Sequence, residues 1–137
     1  MTPLRPRRLT FISVVNLLLG AAMIAYWAKY LLDGMPLQNV PLAPEAIAAV
    51  LALATGIGLL RVRSWALMTG LVLGGFWMYG CVGGINMVLY DIIVHGGLKF
   101  QSPIGPLTDA ALFVLVTCWA MFMVVSLWRE RNTLLRD

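Results

Sequence analysis

Four long apolar segments constrain this 137-residue chain more than any other feature. They run near residues 9–32, 44–60, 65–93 and 107–128. A helix needs about 20 apolar residues to cross a bilayer core of roughly 30 Å, and each segment is near that length or longer. Lipid offers no water to backbone N–H and C=O groups, so such segments must be helices or barrel strands. Because no alternation of period two is present, the sequence predicts an all-α membrane protein with four transmembrane helices in one bundle.

The composition agrees with a membrane protein and excludes a water-soluble fold of this size. Hydrophobic residues make up 61% of the chain and charged residues only 12%, whereas soluble domains carry about 25% charged residues. The four segments leave no room for a separate soluble module. We therefore expect a single integral membrane domain over residues 1–137, with membrane lipids rather than nucleic acid among its partners.

Two arginines, Arg61 and Arg63, separate the second apolar segment from the third. With four crossings, the N-terminus, this turn and the C-terminus lie on one side of the membrane. Eight of the ten basic residues share that side: Arg5, Arg7, Arg8, Arg61, Arg63, Arg129, Arg131 and Arg136. Since cytoplasmic loops carry an excess of Lys and Arg, we expect a multi-pass protein of the cell (inner) membrane with both termini cytoplasmic.

The two halves of the chain resemble each other, which is typical of two similar helical hairpins. Each half has a Pro-rich outer loop, an acid at the start of the following helix, and arginines at its end. Glu45 and Asp109 each fall in a first helical turn, where the helix dipole favours negative charge. We interpret both as capping residues in preference to functional acids.

Small residues at helical spacing predict where helices meet, because helices in lipid associate by close packing. The third segment contains Gly70-x-x-x-Gly74 and Gly80-x-x-x-Gly84, and the second contains Ala48-x-x-x-Ala52-x-x-x-Gly56. We expect these faces to pack the second helix against the third.

Polar residues within the spans are the only candidates for a binding site. Tyr79 lies deep enough in the membrane for its hydroxyl to need a partner, which Asn16 or Asn86 could supply. Hydrogen bonding between helices is the favoured interpretation. The alternative is a pocket walled by Trp77 and Trp119 and suited to an amphipathic ligand such as a quinone or a lipid.

The remaining reactive side chains form no recognisable catalytic or metal-binding set. Cys81 and Cys118 lack a CxxC spacing, so we interpret them as packing residues and do not favour a disulfide. As the only histidine, His95 excludes bis-His haem ligation and multi-His metal sites. Asp91 and His95 are four residues apart, which leaves a weak metal contact or a proton site open near the outer loop, residues 94–106.

The segments "LLLGAAMIAYWAKYL" and "EAIAAVLALATGIGLLRVRSWALMTGLVL" resemble the DoxX-like group of small four-helix membrane proteins. In that group an apolar first helix ends on a Lys, and an acid opens a Gly-rich second helix that an arginine closes. The resemblance implies a four-helix bundle, and some relatives serve as membrane subunits of quinone-linked redox enzymes. This chain differs by having Asn16 where the group has an arginine and by its outer loop, so the resemblance implies an architecture rather than an activity.

Two classes of function therefore stay open. The favoured one is a non-enzymatic accessory or assembly subunit that binds another membrane protein or a second copy of itself, since no paired acid, base or ligand set is present. The alternative is a quinone-binding or lipid-binding protein, or a carrier, with its site inside the bundle. Enzymatic activity is not predicted in the favoured case.

The predicted topology can be tested by labelling single cysteines in intact cells. In a variant without native cysteines, Gln101→Cys should react with a membrane-impermeant maleimide, because residue 101 is expected outside. Arg63→Cys should stay unlabelled until the membrane is permeabilised. Labelling of Arg63→Cys alone would reverse the assignment.

Overall fold

The computed structural model describes residues 6–33, 42–97 and 106–135, and this part of the chain is helical without a strand. The helices are α1 (Arg7–Leu32), α2 (Leu42–Leu60), α3 (Trp65–His95), α4 (Pro106–Arg129) and the short α5 (Arg131–Leu134). The predicted all-α class is thus confirmed, and the four predicted segments match α1 to α4 within two residues at each end. The sequence did not predict α5.

Three helices are long and apolar enough to cross a membrane, by length and composition. Their apolar parts are Arg7–Lys29, Trp65–His95 and Ala110–Arg129, whereas α2 contributes a shorter apolar stretch, Pro44–Leu60. That stretch falls slightly below the roughly 20 residues of a typical span. The chain therefore has the helices of a membrane protein, with α2 the least typical of them.

The helices pack in chain order. Extensive contacts join α1 to α2, α2 to α3 and α3 to α4, while α1 and α4 meet over a much smaller area. The turn between α2 and α3 occupies only residues 61–64. Gly96 caps the end of α3, where its positive φ of 68° suits a residue without a Cβ, and its N–H donates to the carbonyl of Ile92. The result is two helical hairpins, α1–α2 and α3–α4, joined through α2 and α3.

The buried core lies toward one end of the helices, which we call the basic end. It contains the start of α1, the end of α2, the start of α3, the end of α4 and α5. One cluster there includes Leu9, Leu59, Leu73, Leu127 and Leu134, all fully buried. Toward the other end, the distal end, α1 beyond Gly20 and α4 before Ala120 have no buried residue among the side chains described.

The close contacts of the glycines correct one expectation from the sequence. A Cβ on Gly74 or Gly84 would collide with α4, at Val124 and at Phe113 respectively, and a Cβ on Gly56 would collide with Leu17 of α1. The small residues therefore pack mainly within each hairpin, and the prediction that they join α2 to α3 was wrong for these three. Sequence spacing defines a face of a helix but does not say which neighbour covers it.

Gly58 and Gly70 lie at the junction of the hairpins, and a Cβ on Gly58 of α2 would collide with Ala66 and Trp65 of α3. A Cβ on Gly70 would meet Leu127 of α4 and would also lie 3.1 Å from Cγ2 of Thr55 on α2. Gly75, Gly80 and Gly83 have no atom within 4 Å of the point where a Cβ would lie, so they face away from the packed helices.

Adjacent glycines of α3 provide a matched test of this packing. Gly74→Leu should destabilise the protein by roughly 1–3 kcal/mol, because the new side chain must displace Val124. Gly75→Leu makes the same chemical change on the open side and should leave the melting temperature in detergent unchanged or slightly raised, since leucine favours helix more than glycine. Equal losses of stability in the two variants would show that α4 does not cover Gly74.

Candidate functional site

The five residues predicted to line a pocket lie in two separate places. Asn16 and Trp119 meet in the packed interior near the basic end. Tyr79 and Asn86 lie on an exposed face of α3. Trp77 is buried in the core cluster, and a residue two positions from Tyr79 on a helix points to a different side. The structure therefore does not gather the five residues around one cavity.

Asn16 connects α1 to α4, two helices that otherwise make few contacts. Its side chain is fully buried. Nδ2 donates to Sδ of Met123 at 3.2 Å, and Oδ1 accepts a long hydrogen bond of 3.4 Å from Nε1 of Trp119. The ring of Trp119 also packs edge-on against Phe11 of α1, with centroids 5.8 Å apart. These contacts give both ends of the amide a partner, as expected of a polar group that holds helices together.

Two more polar contacts lie in the same interior and were not predicted from the sequence as pairs. The hydroxyl of Ser13 donates to the carbonyl of Gly56 at 2.6 Å and thereby joins α1 to α2. Thr55 donates to the hydroxyl of Thr69 at 3.1 Å and joins α2 to α3. Ser13 and Thr55 are both fully buried. Ser13, Asn16 and Thr55 thus each have a hydrogen-bond partner on a neighbouring helix and are suited to structure rather than to chemistry.

The second place is an exposed strip along α3 that we call the α3 face: Tyr79, Gly80, Gly83, Asn86 and Tyr90. Tyr79 is 85% exposed. A shallow open hollow is lined by Met78, Tyr79, Gly80, Val82, Gly83 and Asn86, and a second hollow continues it along Asn86, Met87, Leu89, Tyr90 and Ile93. All lining residues come from α3, so the hollow is a groove on one helix where two glycines lack side chains, and not an enclosed cavity.

The depth of the α3 face follows from the packing of α3 against α4. Gly70 meets Leu127, Gly74 meets Val124 and Gly84 meets Phe113, so the two helices run antiparallel in constant register. Tyr79 lies halfway between Gly74 and Gly84 and is therefore level with residues near Cys118. The apolar part of α4 is Ala110–Arg129, so Tyr79 is level with the middle of that stretch, and Asn86 lies nearer its distal end.

The cysteines occupy different environments on neighbouring helices. Cys81 on α3 is buried, whereas Cys118 on α4 is exposed, and both thiols are free. This arrangement agrees with the interpretation of Cys81 as a packing residue. The exposed position of Cys118 could not be predicted, because its neighbours in the sequence are mostly apolar on both sides.

The distal end carries several polar contacts but no metal-binding cluster among the residues described. Glu45, in the first turn of α2, accepts a 2.6 Å hydrogen bond from Nε1 of Trp27 on α1. Asp91 is buried and lies 3.3 Å from Nδ1 of His95. Across the described ranges, no group of three His, Cys, Asp or Glu side chains could hold a metal ion. The side chain of Asp109 and most of the predicted outer loop 94–106 lie outside the described residues.

No protein-family model matches this chain, and no curated protein and no solved structure matches it either. The resemblance to the DoxX-like group accordingly stays a prediction from the quoted segments.

The two asparagines offer a matched test of their different environments. Asn16→Ala should lower the free energy of unfolding by about 1–3 kcal/mol, because it removes a fully buried amide and leaves the partly buried indole N–H of Trp119 without its acceptor. Asn86→Ala removes the same amide from an exposed position and should change stability by less than about 0.5 kcal/mol. Thermal unfolding of both variants in one detergent measures the difference. A larger loss for Asn86→Ala would contradict the assigned environments.

Proposed function

We propose that this chain is a small accessory or assembly subunit of a larger membrane complex and is non-enzymatic on its own. It lies in the cell (inner) membrane as a four-helix bundle with both termini cytoplasmic. Its α3 face receives a transmembrane helix of the partner protein.

The exposed hydroxyl of Tyr79 near mid-membrane is the observation that supports this proposal most. Hydrocarbon cannot hydrogen-bond a hydroxyl, and the lack of a partner costs roughly 4–8 kcal/mol in an alkane-like medium. No hydrogen bond to Tyr79 occurs within the described part of the chain. A neighbouring transmembrane helix can supply an acceptor, and polar side chains within spans generally face protein or water rather than lipid.

The glycines beside Tyr79 support a helix as the partner rather than a loop. Gly80 and Gly83 leave their side of α3 open, with no atom within 4 Å of a Cβ placed there. A second helix could approach the α3 backbone closely at these positions, which is the geometry that small residues favour in membranes. Asn86 then offers a further hydrogen bond one turn beyond Gly83.

The arrangement of charges supports the proposed topology. The start of α1, the turn between α2 and α3, and the end of α4 all lie at the basic end, together with six described arginines: Arg7, Arg8, Arg61, Arg63, Arg129 and Arg131. Because the start of α1, the central turn and the end of α4 lie on the same side, the chain must cross the membrane an even number of times. Under the positive-inside rule that side is cytoplasmic.

A quinone or a lipid is the second candidate for the α3 face, because Tyr79 and Asn86 border an open hollow there. A hydroxyl and an amide above apolar walls fit the carbonyl or headgroup of an amphipathic ligand. In the interior, the amide of Asn16 is already paired with Trp119 and Met123, so such a ligand would bind on the outside of the helices.

Site-specific photocrosslinking in intact membranes tests the partner. A benzophenone amino acid at Tyr79 should form a discrete adduct with another membrane protein. The same probe at Leu115, which is 64% exposed on α4 at a similar depth, should form none. An adduct of twice the chain's mass would identify a second copy instead, and adducts with lipid alone at both positions would contradict a protein partner.

Tyr79→Phe separates the two candidates for the α3 face. If a partner helix binds there, the loss of one hydrogen bond should weaken co-purification of the partner by about 0.5–1.5 kcal/mol, or roughly 2–12-fold. If a quinone binds there, the amount of quinone that co-purifies with the protein should fall, and the co-purification of other membrane proteins should not change. Unchanged retention of both would remove Tyr79 from the site.

A further inference from the structure

The turn between α2 and α3 has a defined geometry that places two arginines at the surface. The N–H of Arg63 donates to the carbonyl of Gly58 at 2.9 Å, and the N–H of Val62 donates to the carbonyl of Leu59 at 3.3 Å. Arg61 and Arg63 are both exposed, while Val62 between them is partly buried and packs against the core. The turn is therefore fixed by its backbone and by one apolar side chain.

Val62 also has an unusual backbone conformation. Its φ is 50°, and no other non-glycine residue in the described part of the chain has a positive φ. The left-handed region is unfavourable for a β-branched residue. Such a conformation persists only where its surroundings hold it, here by packing of the Val62 side chain. The consequence is that the two flanking guanidinium groups project from a rigid turn.

The charges around this turn are not neutralised within the described structure. Among the described residues of the basic end, Glu130 is the only acid, and no arginine there forms an ion pair with a carboxylate. Arg131 is engaged differently, since Nη1 donates to the carbonyl of Trp128 at 2.8 Å and the guanidinium stacks on the Trp128 ring. Arg61 and Arg63 thus have no acidic partner in the ranges described.

The level of the turn in a bilayer is that of lipid headgroups. Trp65 follows the turn directly and is 44% exposed, and Trp128 near the end of α4 is 57% exposed. Tryptophan rings concentrate at the interface between hydrocarbon and headgroups. Guanidinium groups bind phosphate oxygens in a planar, two-pronged geometry.

We propose that the rigid turn carrying Arg61 and Arg63 is a binding site for the phosphate of an anionic phospholipid. The inference requires only that the chain lies in a bilayer, and it is independent of the partner proposed for the α3 face. The flanking arginines of α1 and α4 add a general attraction to anionic lipid, whereas the turn holds one headgroup in place.

Native mass spectrometry with defined lipids tests this site. The protein, stripped of lipid in a neutral detergent, is titrated with phosphatidylglycerol or with zwitterionic phosphatidylcholine of the same acyl chains. The wild type should bind the first phosphatidylglycerol at least about tenfold more tightly, since each basic residue near an anionic surface adds substantially to binding. Equal affinity for the two lipids would overturn the proposal.

Two double variants with equal loss of charge locate the site. Arg61→Gln/Arg63→Gln should abolish most of the preference for phosphatidylglycerol, whereas Arg7→Gln/Arg8→Gln at the start of α1 should keep most of it. Equal losses in the two variants would mean a diffuse charge effect and would overturn the assignment to the turn. Melting temperatures without added lipid should match the wild type in both, because all four side chains are exposed.

A conservative variant tests the geometry of the contact. Arg61→Lys/Arg63→Lys preserves both charges but removes the planar fork of the guanidinium groups. We expect a preference for phosphatidylglycerol between those of the wild type and the glutamine variant. If the lysine variant prefers phosphatidylglycerol as little as the glutamine variant does, bidentate binding by the guanidinium groups is supported still further. If the lysine and glutamine variants both keep the full preference of the wild type, the site is contradicted.

Discussion

The close packing of α3 on α4 at Gly70, Gly74 and Gly84 is the contact on which the rest of the structure depends. In lipid, burial of apolar side chains gives little drive for helices to associate, so stability comes from short-range packing that small residues permit. Three such contacts in one register fix the vertical position of α3 relative to α4. That register places Tyr79 level with the middle of the apolar part of α4 and brings the start of α3 and the end of α4 together at the basic end.

Hydrogen bonds between helices then join the two hairpins. Thr55 and Thr69 join α2 to α3, and Asn16 reaches Trp119 and Met123 across the smaller contact between α1 and α4. Each bond is modest in net free energy, but an unpaired polar group in this interior would be costly. Because these bonds lie in the half of the helices near the basic end, the hairpins are joined there, and their distal halves are covered mainly within each hairpin.

The sequence predicts the lengths and ends of the helices well but predicts their neighbours poorly. Apolar length and the arginines at 61 and 63 were sufficient to locate α1 to α4. Gly74 and Gly75, however, have the same local sequence signal, although one meets Val124 and the other faces away. In a membrane protein the lipid-facing side is as apolar as the interior, so hydrophobic periodicity carries little information about which face is buried. The same holds for Tyr79 in the candidate site. Its position along α3 follows from the rise per residue and could be predicted from the sequence. The side of α3 on which its hydroxyl lies depends on the rotation of the helix, and the glycine contacts with α4 set that rotation.

Because the basic end and the α3 face lie on the same helix, the depth of one in a bilayer determines the depth of the other. At 31 residues, α3 is about 46 Å long and exceeds a hydrocarbon core of roughly 30 Å, so its apolar pattern alone permits several depths. In the proposed topology Arg61 and Arg63 remove that freedom, because guanidinium groups just before α3 would stay among the headgroups. The excess length of α3 would then project at the distal end, where Asp91 and His95 lie. An anionic lipid held at the turn would fix this depth further, and with it the depth of Tyr79 on the face proposed to bind a partner.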